Sequence, residues 1–394
     1  MKKKLTIILS IILLIIAITI IIIIRQRFLA KVEIVLNDNL EVEFNEKRKI
    51  SSFIKKINGK IISDKNVNTL KLGDNSIKFS YINDNNIKVS YSFNYKVVDK
   101  TPPVIWLNSR YSIPVGSTDD LTNSIMCGDN YDSNPKCYIE GDYNINEPGE
   151  YNLVYKAIDS SNNTSTVNFT LNVYEKIKTR TSNKTKTSFS NIVEKHKTSK
   201  TKVGIDVSKW QKDIDFQKIK DAGVEFVIIR IGGTRGIGGE HFIDEKFQKN
   251  IEEAKKYNIP VGLYFYSYAN SKKQAIKDAK WIIKQIKDYD IDLPIAYDWE
   301  DWSNFNNYNV SFYELTEIAN AFMNELKKAG YDSMLYSSKN YLENIWLETK
   351  YKTWLAHYTE KTNYTKDYYL WQLCENGEID GIDENVDIDI MYLK

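Results

Sequence analysis

The stretch IPVGLYFYSYANSKKQAIKDAKWIIKQIKDYDIDLPIAYDWED, residues 259–301, reads as a strand, a helix and a second strand. VGLYFYS is a short apolar and aromatic run of strand length. Ser271 with Gln274 has the spacing of a capping box, and an amphipathic helical pattern follows it through Tyr289. PIAYDWE then restores a strand. Two strands joined by a helix belong to a parallel sheet. The second strand ends in Asp298 and Glu300, which share a face because strand side chains alternate. Their Cα atoms should lie roughly 6 to 7 Å apart. A carboxylate at a buried strand end costs several kcal/mol unless something compensates it.

The same rhythm runs from Val203 to the C-terminus. Strands read at VGIDVS, FVIIRIGG, VGLYFYS, PIAYDWE, SMLYSS, TWLAHY, YYLWQL and VDIDIMY. Amphipathic helices separate the first five, with Ser311 and Glu314 as a second capping box, and a short one follows at KNYLENIW. Eight strands within residues 203–394 predict an irregular α/β barrel whose last three strands have no helices. In such barrels the site lies at the carboxyl ends of the strands. Those ends carry Asp206, Asp298, Glu300, Asp387 and Asp389. Closure makes the first and last strands neighbours, so Asp206 and Asp387 can approach. Crowded like charges raise at least one pKa, which is how a carboxyl stays protonated to act as a general acid.

Residues 203–394 resemble the family 25 glycoside hydrolases, the lysozyme-type muramidases. GIDVSKWQ, FVIIRIGGT, IPVGLYFYSYA, LPIAYDWED, WLAHY, LWQ and VDIDIMY carry the likeness, in the family's order and spacing. The resemblance implies a TIM-like (β/α)5β3 barrel and hydrolysis of the β-1,4 bond between N-acetylmuramic acid and N-acetylglucosamine. It makes Glu300 the general acid and Asp298 the partner carboxylate, which stabilises the oxocarbenium-like charge or assists the substrate's acetamido group. Asp206 orients and adds to the field, and Asp387 is the acid of the last strand, with Asp389 left as structural. Retaining, inverting and substrate-assisted routes all stay open.

Sugar sites use aromatic faces flanked by polar groups. Tyr264 and Tyr266 share the inward face of their strand and match groove positions of the family. Trp371 and Gln372 of LWQ are expected to touch substrate, and Arg230 to pair with one of the acids. By parity Trp299 turns away into the core. Trp210, Trp354 and Tyr358 read as packing. Phe265 stands where many members carry a histidine. No metal, nucleotide or flavin motif is visible, so no cofactor is expected.

Charge is unevenly spread around a net of +2. Residues 203–394 hold 24 Lys and Arg against 32 Asp and Glu, which argues against nucleic acid as the partner. Three histidines argue against a His-based zinc site or triad. Cys127 and Cys137, ten residues apart, either close a small bridge outside a cell or stay as thiols; Cys374 reads as a packed small residue.

The N-terminal part reads as an anchor and spacers. Residues 1–28 hold an uncharged apolar run, 5–24, long enough to cross the hydrocarbon core, with the N-terminus expected inside the cell and the rest facing the wall. Period-2 patterning then predicts two all-β domains, 32–98 and 99–174. LGDNSIKFSYINDNNIKVSYSFNYKVVD and PGEYNLVYKAIDSSNNTSTVNFTLNVYE align without gaps at an offset of 76, each as a hairpin turning at NDNN or DSSNN. The second copy resembles bacterial immunoglobulin-like repeats through DKTPPVI, DNYDSNP and PGEYNLVYKAIDSSNN. Residues 175–202, rich in Ser, Thr and Lys, read as a flexible basic linker. The whole reads as a membrane-anchored wall hydrolase whose partner is the glycan strand. Two rivals are a non-catalytic wall-binding scaffold and a glucosaminidase.

Overall fold

The computed structural model describes residues 2–118, 120–175 and 186–393. Residues 176–185, in the first half of the expected linker, lie outside the described residues. The chain divides into two compact units, 1–100 and 101–394.

The first unit opens with helix α1, Lys2–Leu29. Its window Leu9–Leu29 has a mean hydropathy of 2.7 and buries nothing, so it is long and apolar enough to cross a membrane. Strands β1 (Ile34–Leu36) and β3 (Ile54–Ile57) pair with each other. Strands β2 (Glu41–Glu43), β4 (Gly59–Ile61), β5 (Gly73–Asn83) and β6 (Lys88–Val98) form a sheet in the order β2-β6-β5-β4. Alternation puts Phe79, Tyr81, Phe93 and Tyr95 on its buried face, against Phe53.

The second unit begins with another β domain. Strands β7 (Val104–Ile105) and β9 (Cys127–Gly128) pair, with the short helix α2 (Leu121–Ser124) between them. Strands β8 (Arg110–Pro114), β10 (Lys136–Glu140), β11 (Gly149–Ile158) and β12 (Thr164–Tyr174) form a sheet in the order β10-β11-β12-β8. The β5–β6 and β11–β12 hairpins start and end 76 residues apart, as their sequences align. Asn86 and Asn162, equivalent turn residues, both take positive φ, which Asn tolerates better than most side chains. Cys127 and Cys137 are joined as a disulfide, which decides between the two readings of that pair.

Part of the expected linker is folded. Thr187–Ser188 (β13) pairs with β21 (Leu370–Ile379), and helix α3 (Phe189–His196) buries Phe189 and Ile192 in the core of the C-terminal domain. Residues 187–196 are therefore not linker, because SFSNIV supplies two apolar anchors within one helical turn.

The remaining strands are β14 (Thr201–Val207), β15 (Val227–Thr234), β16 (His241–Ile243), β17 (Val261–Tyr266), β18 (Ile295–Asp298), β19 (Ser333–Ser338), β20 (Lys352–Ala356) and β22 (Ile382–Tyr392). Helices α4 (Phe216–Asp221), α5 (Phe247–Lys256), α6 (Lys272–Ile286), α7 (Phe312–Lys328) and α8 (Lys339–Asn344) follow β14, β15/β16, β17, β18 and β19 in turn. Parallel pairing runs β14-β15-β17-β18-β19-β20-β21, and antiparallel β22 closes the ring against both β21 and β14. Five strand–helix pairs are thus followed by three strands with no helix between them. Ser311 and Glu314 form a complete capping box at the start of α7. At α6 only the Ser271 arm is made.

Strand parity divides the barrel into an outer and an inner layer. Outward residues such as Ile205, Ile229, Leu263, Phe265, Tyr297 and Leu335 meet the helices in the main core. Phe226, Ile228, Ala296, Met334, Leu370 and Met391 fill the interior. Gly204 is required there: a Cβ would lie 2.5 Å from the Phe226 carbonyl oxygen and 2.7 Å from its ring. Above this apolar plug the inward positions become carboxyls.

Candidate active site

The mouth of the barrel is built by register. Tyr266, Asp298 and Tyr336 are direct partners across β17, β18 and β19, so three neighbouring strands set these side chains in one row. On the opposite wall Asp206 of β14 faces Asp387 of β22, and Asp389 lies one inward step below, beside Gln372. Glu300, two residues beyond the end of β18, turns into the same opening and remains open to solvent.

Asp206 is buried and accepts a 2.7 Å hydrogen bond from Gln372 Nε2. The Gln372 Oε1 in turn accepts from Tyr336 at 2.9 Å and Tyr358 at 3.1 Å. This chain of bonds fixes which way the amide points, and so which edge of it meets Asp206. Asp389 is fully buried and accepts from the Trp354 indole N–H at 2.8 Å. Asp298 is also buried, and among the described residues its Oδ1 has no hydrogen-bond partner.

Burial pushes all five carboxyls above the ordinary range. Desolvation is the leading cause for Asp206, followed by the charge of Asp389. For Asp298 it is desolvation and then Glu300, only partly offset by Arg230. Asp387 is pushed up to about 9 by burial and then by Asp206. Asp389 is raised by burial and then by Asp387. Glu300 is raised by desolvation alone: although water reaches it, protein hems its carboxyl in on most sides. Five acids in one opening cannot all ionise, so the site holds protons at neutral pH. Such a site can deliver a proton to a leaving group and present a carboxylate to developing positive charge.

Several expectations need correction. Trp371 is not in the groove: it is buried in the outer layer, where its indole N–H donates to the His357 carbonyl at 2.9 Å. It neighbours inward-facing Gln372, and adjacent strand residues cannot share a face. Arg230 does not pair with a strand-end acid. Its Nε donates to Asp244 Oδ2 at 2.6 Å, and Asp244 is itself buried beside β16. Trp210 is 67% exposed, so it does not pack as expected. Trp354 packs inside the barrel and holds Asp389, and Tyr358 is half exposed at the rim. Asp389, read as structural, belongs to the acid cluster. Phe265 faces the outer layer against Phe322 and Trp281, so the groove loses no contact there. Tyr264 and Tyr266 line the opening as expected, with burial raising both hydroxyls. Tyr336 and Asp244 were missed; parity along SMLYSS would have found the first, whereas Asp244 sits in a loop with no periodicity.

Residues 205–382 match the family model of the Glycosyl hydrolases family 25. Those residues form a family 25 glycosyl hydrolase domain. Three of the five acids, Asp206, Asp298 and Glu300, lie inside the matched range, and Asp387 and Asp389 stand just past it. Among similar proteins, YegX of Escherichia coli strain K12 is 26% identical over 195 residues, which is 48% of this chain and 68% of that protein. The autolytic lysozyme of Clostridium acetobutylicum is 26% identical over 189 residues, 47% of this chain. This chain spans 54% of that lysozyme's length. Among solved structures, the modular autolysin LytC of Streptococcus pneumoniae in complex with a synthetic peptidoglycan ligand is 27% identical, covers 61% of this chain and 56% of its own, and aligns with a TM-score of 0.45. In each of these two sequence comparisons about half of this chain is covered.

Proposed function

We propose that this chain is a membrane-anchored peptidoglycan hydrolase that cleaves the β-1,4 bond between N-acetylmuramic acid and N-acetylglucosamine. The observation that carries the reading is the set of strand-end carboxyls, all pushed toward protonation, at the mouth of a family 25 barrel. The lysozyme name of the Clostridium acetobutylicum relative supports it. Glu300, accessible yet hemmed in, is the general acid that protonates the glycosidic oxygen. Asp298 offers Oδ1 as an acceptor to the substrate's acetamido N–H or as charge beside the oxocarbenium-like transition state. Asp206 and Asp387 set the field around Glu300, and Tyr264, Tyr266 and Gln372 line the sugar groove.

The fold is read as a TIM-like (β/α)5β3 barrel preceded by two immunoglobulin-like domains. The apolar helix α1 supports anchorage in the cell membrane, with its N-terminus inside and the barrel facing the wall. Wall remodelling is the process such placement serves.

Incubating the full chain, in detergent, with isolated peptidoglycan tests the reading. Release of soluble glycan fragments in proportion to enzyme is the expected outcome. Sedimentation of the protein with the wall and no release would mark a binding scaffold instead.

A further inference from the structure

The second β domain was expected to be a spacer, yet it packs on the segment that follows Glu300. The carbonyl oxygen of Asp129 accepts from the Phe312 N–H at 2.7 Å, and that of Asn130 from the Tyr313 N–H at 3.3 Å. Phe312 and Tyr313 open α7, and the first amides of a helix have no partner within it. Ser311 Oγ takes the third amide, Glu314, at 3.1 Å. One end of α7 is thus capped jointly by its own serine and by the backbone of the neighbouring domain.

Side chains fit the same joint. Met126 is buried in the main core together with Phe305 and Phe312. Gly128 leaves no room: a Cβ would lie 2.5 Å from Phe312 Cε1 and 2.6 Å from Phe305 Cε1. The Cys127–Cys137 disulfide closes the loop that carries Gly128, Asp129 and Asn130. At the other edge Trp106 lies 4.9 Å from Tyr341, which stacks on Trp302 at 3.7 Å. The backbone N–H of Trp302 donates to the Glu300 carbonyl at 2.9 Å.

We propose that the second β domain is a positioning part of the catalytic unit: through Trp106 and the 127–137 loop it holds the segment from Glu300 to Tyr313 in place. The working module is then 101–394 rather than the barrel alone. A spacer would need a movable joint, whereas this one combines helix capping, a side-chain-free contact and an aromatic stack. The inference rests on the muramidase reading for its kinetic consequence, but not for its structural one. Trp106 carries no charge, and the titratable groups that face Glu300 are Asp206, Asp298 and Asp387 with the hydroxyls of Tyr266, Tyr336, Tyr341 and Tyr358. Losing Trp106 therefore acts on Glu300 through position and access of water.

The test uses the full chain as wild type, Trp106→Ala and Trp106→Phe, read by hydrogen exchange and by kinetics on peptidoglycan. In Trp106→Ala the amides of residues 302–308, Phe312 and Tyr313 should exchange about 10-fold faster, while those of β11 and β12 keep their protection. Turnover should fall about 10-fold with KM within about twofold of wild type. The alkaline limb of the rate profile should move to lower pH as Glu300 becomes better hydrated, and Trp106→Phe should stand close to wild type in every readout. If Trp106→Ala unfolds the domain, seen as lost protection in β11 and β12, Gly128→Ala probes the same joint with the domain's own core intact. Unchanged exchange over 302–313 would overturn the proposal, as would faster exchange with turnover and pH limb unmoved. An inactive wild type would sink the muramidase reading instead, leaving the exchange result to decide the joint.

Discussion

Glu300→Gln should lower kcat/KM on peptidoglycan about 1,000-fold while leaving wall binding within about twofold of wild type. Gln has nearly the shape of Glu, and Glu300 is solvent-accessible, so the substitution need not disturb the core. What it removes is the proton. A general acid contributes typically ~10²–10⁴-fold. Burial holds Glu300 above its ordinary value of 4.5, so its protonated form survives to higher pH than that of an exposed glutamate. The wild-type rate should fall on the alkaline side as that proton is lost, and the residual rate of Glu300→Gln should lack this limb. Measuring kcat/KM from pH 4 to 9 for both proteins checks the two expectations together. A variant within tenfold of wild type would remove Glu300 from the chemistry.

Asp389→Asn should raise the thermal midpoint of the barrel at pH 8 by at least ~2–4 °C and lower activity. The Asn Oδ1 can still accept from Trp354, and its amide N–H can donate toward Asp206. Asp389 is fully buried, and its pKa is raised by burial and by Asp387. A raised acid contributes stability that is fully present below the unfolded pKa, near 3.8, and is lost as pH climbs toward the folded value. Wild type therefore weakens through this group from about pH 4 upward, whereas Asn does not titrate. The advantage of the variant should be absent near pH 4 and grow toward pH 8. Melting curves at several pH values read this directly; an advantage independent of pH would mean that Asp389 does not carry the cost. Such acids persist where function requires them at the expense of stability.

Much of this molecule is legible from local pattern. The period of two and the turn asparagines place both hairpins, and Ser311 with Glu314 marks the start of α7, because these signals involve residues close in sequence. Parity turns Tyr264 and Tyr266 inward, the first against the interior cluster and the second beside Asp298, and Trp299 outward into the main core. The same rule applied to LWQ separates Trp371, which faces the outer core, from Gln372, which faces Asp206, although the motif groups them. Other features depend on partners far away along the chain. Arg230 finds Asp244 across a loop, and nothing local distinguishes that acid from its neighbours. Helix α3 was hidden in a Lys-rich stretch because Phe189 and Ile192 gain meaning only when a barrel is there to receive them. The joint at Gly128 needs two surfaces to be known at once, and a glycine in a loop says only that a turn is possible.

The bond assignment is the centre of the account, and the sugar left at the new reducing ends tests it most directly. Isolated peptidoglycan would be digested with the full chain, reduced with borohydride and hydrolysed, and the reduced amino sugar identified. Muramicitol, appearing in step with fragment release and absent with Glu300→Gln, is the predicted result. Glucosaminitol in its place would contradict it, keeping a glycoside hydrolase but moving the cut to the other bond of the strand.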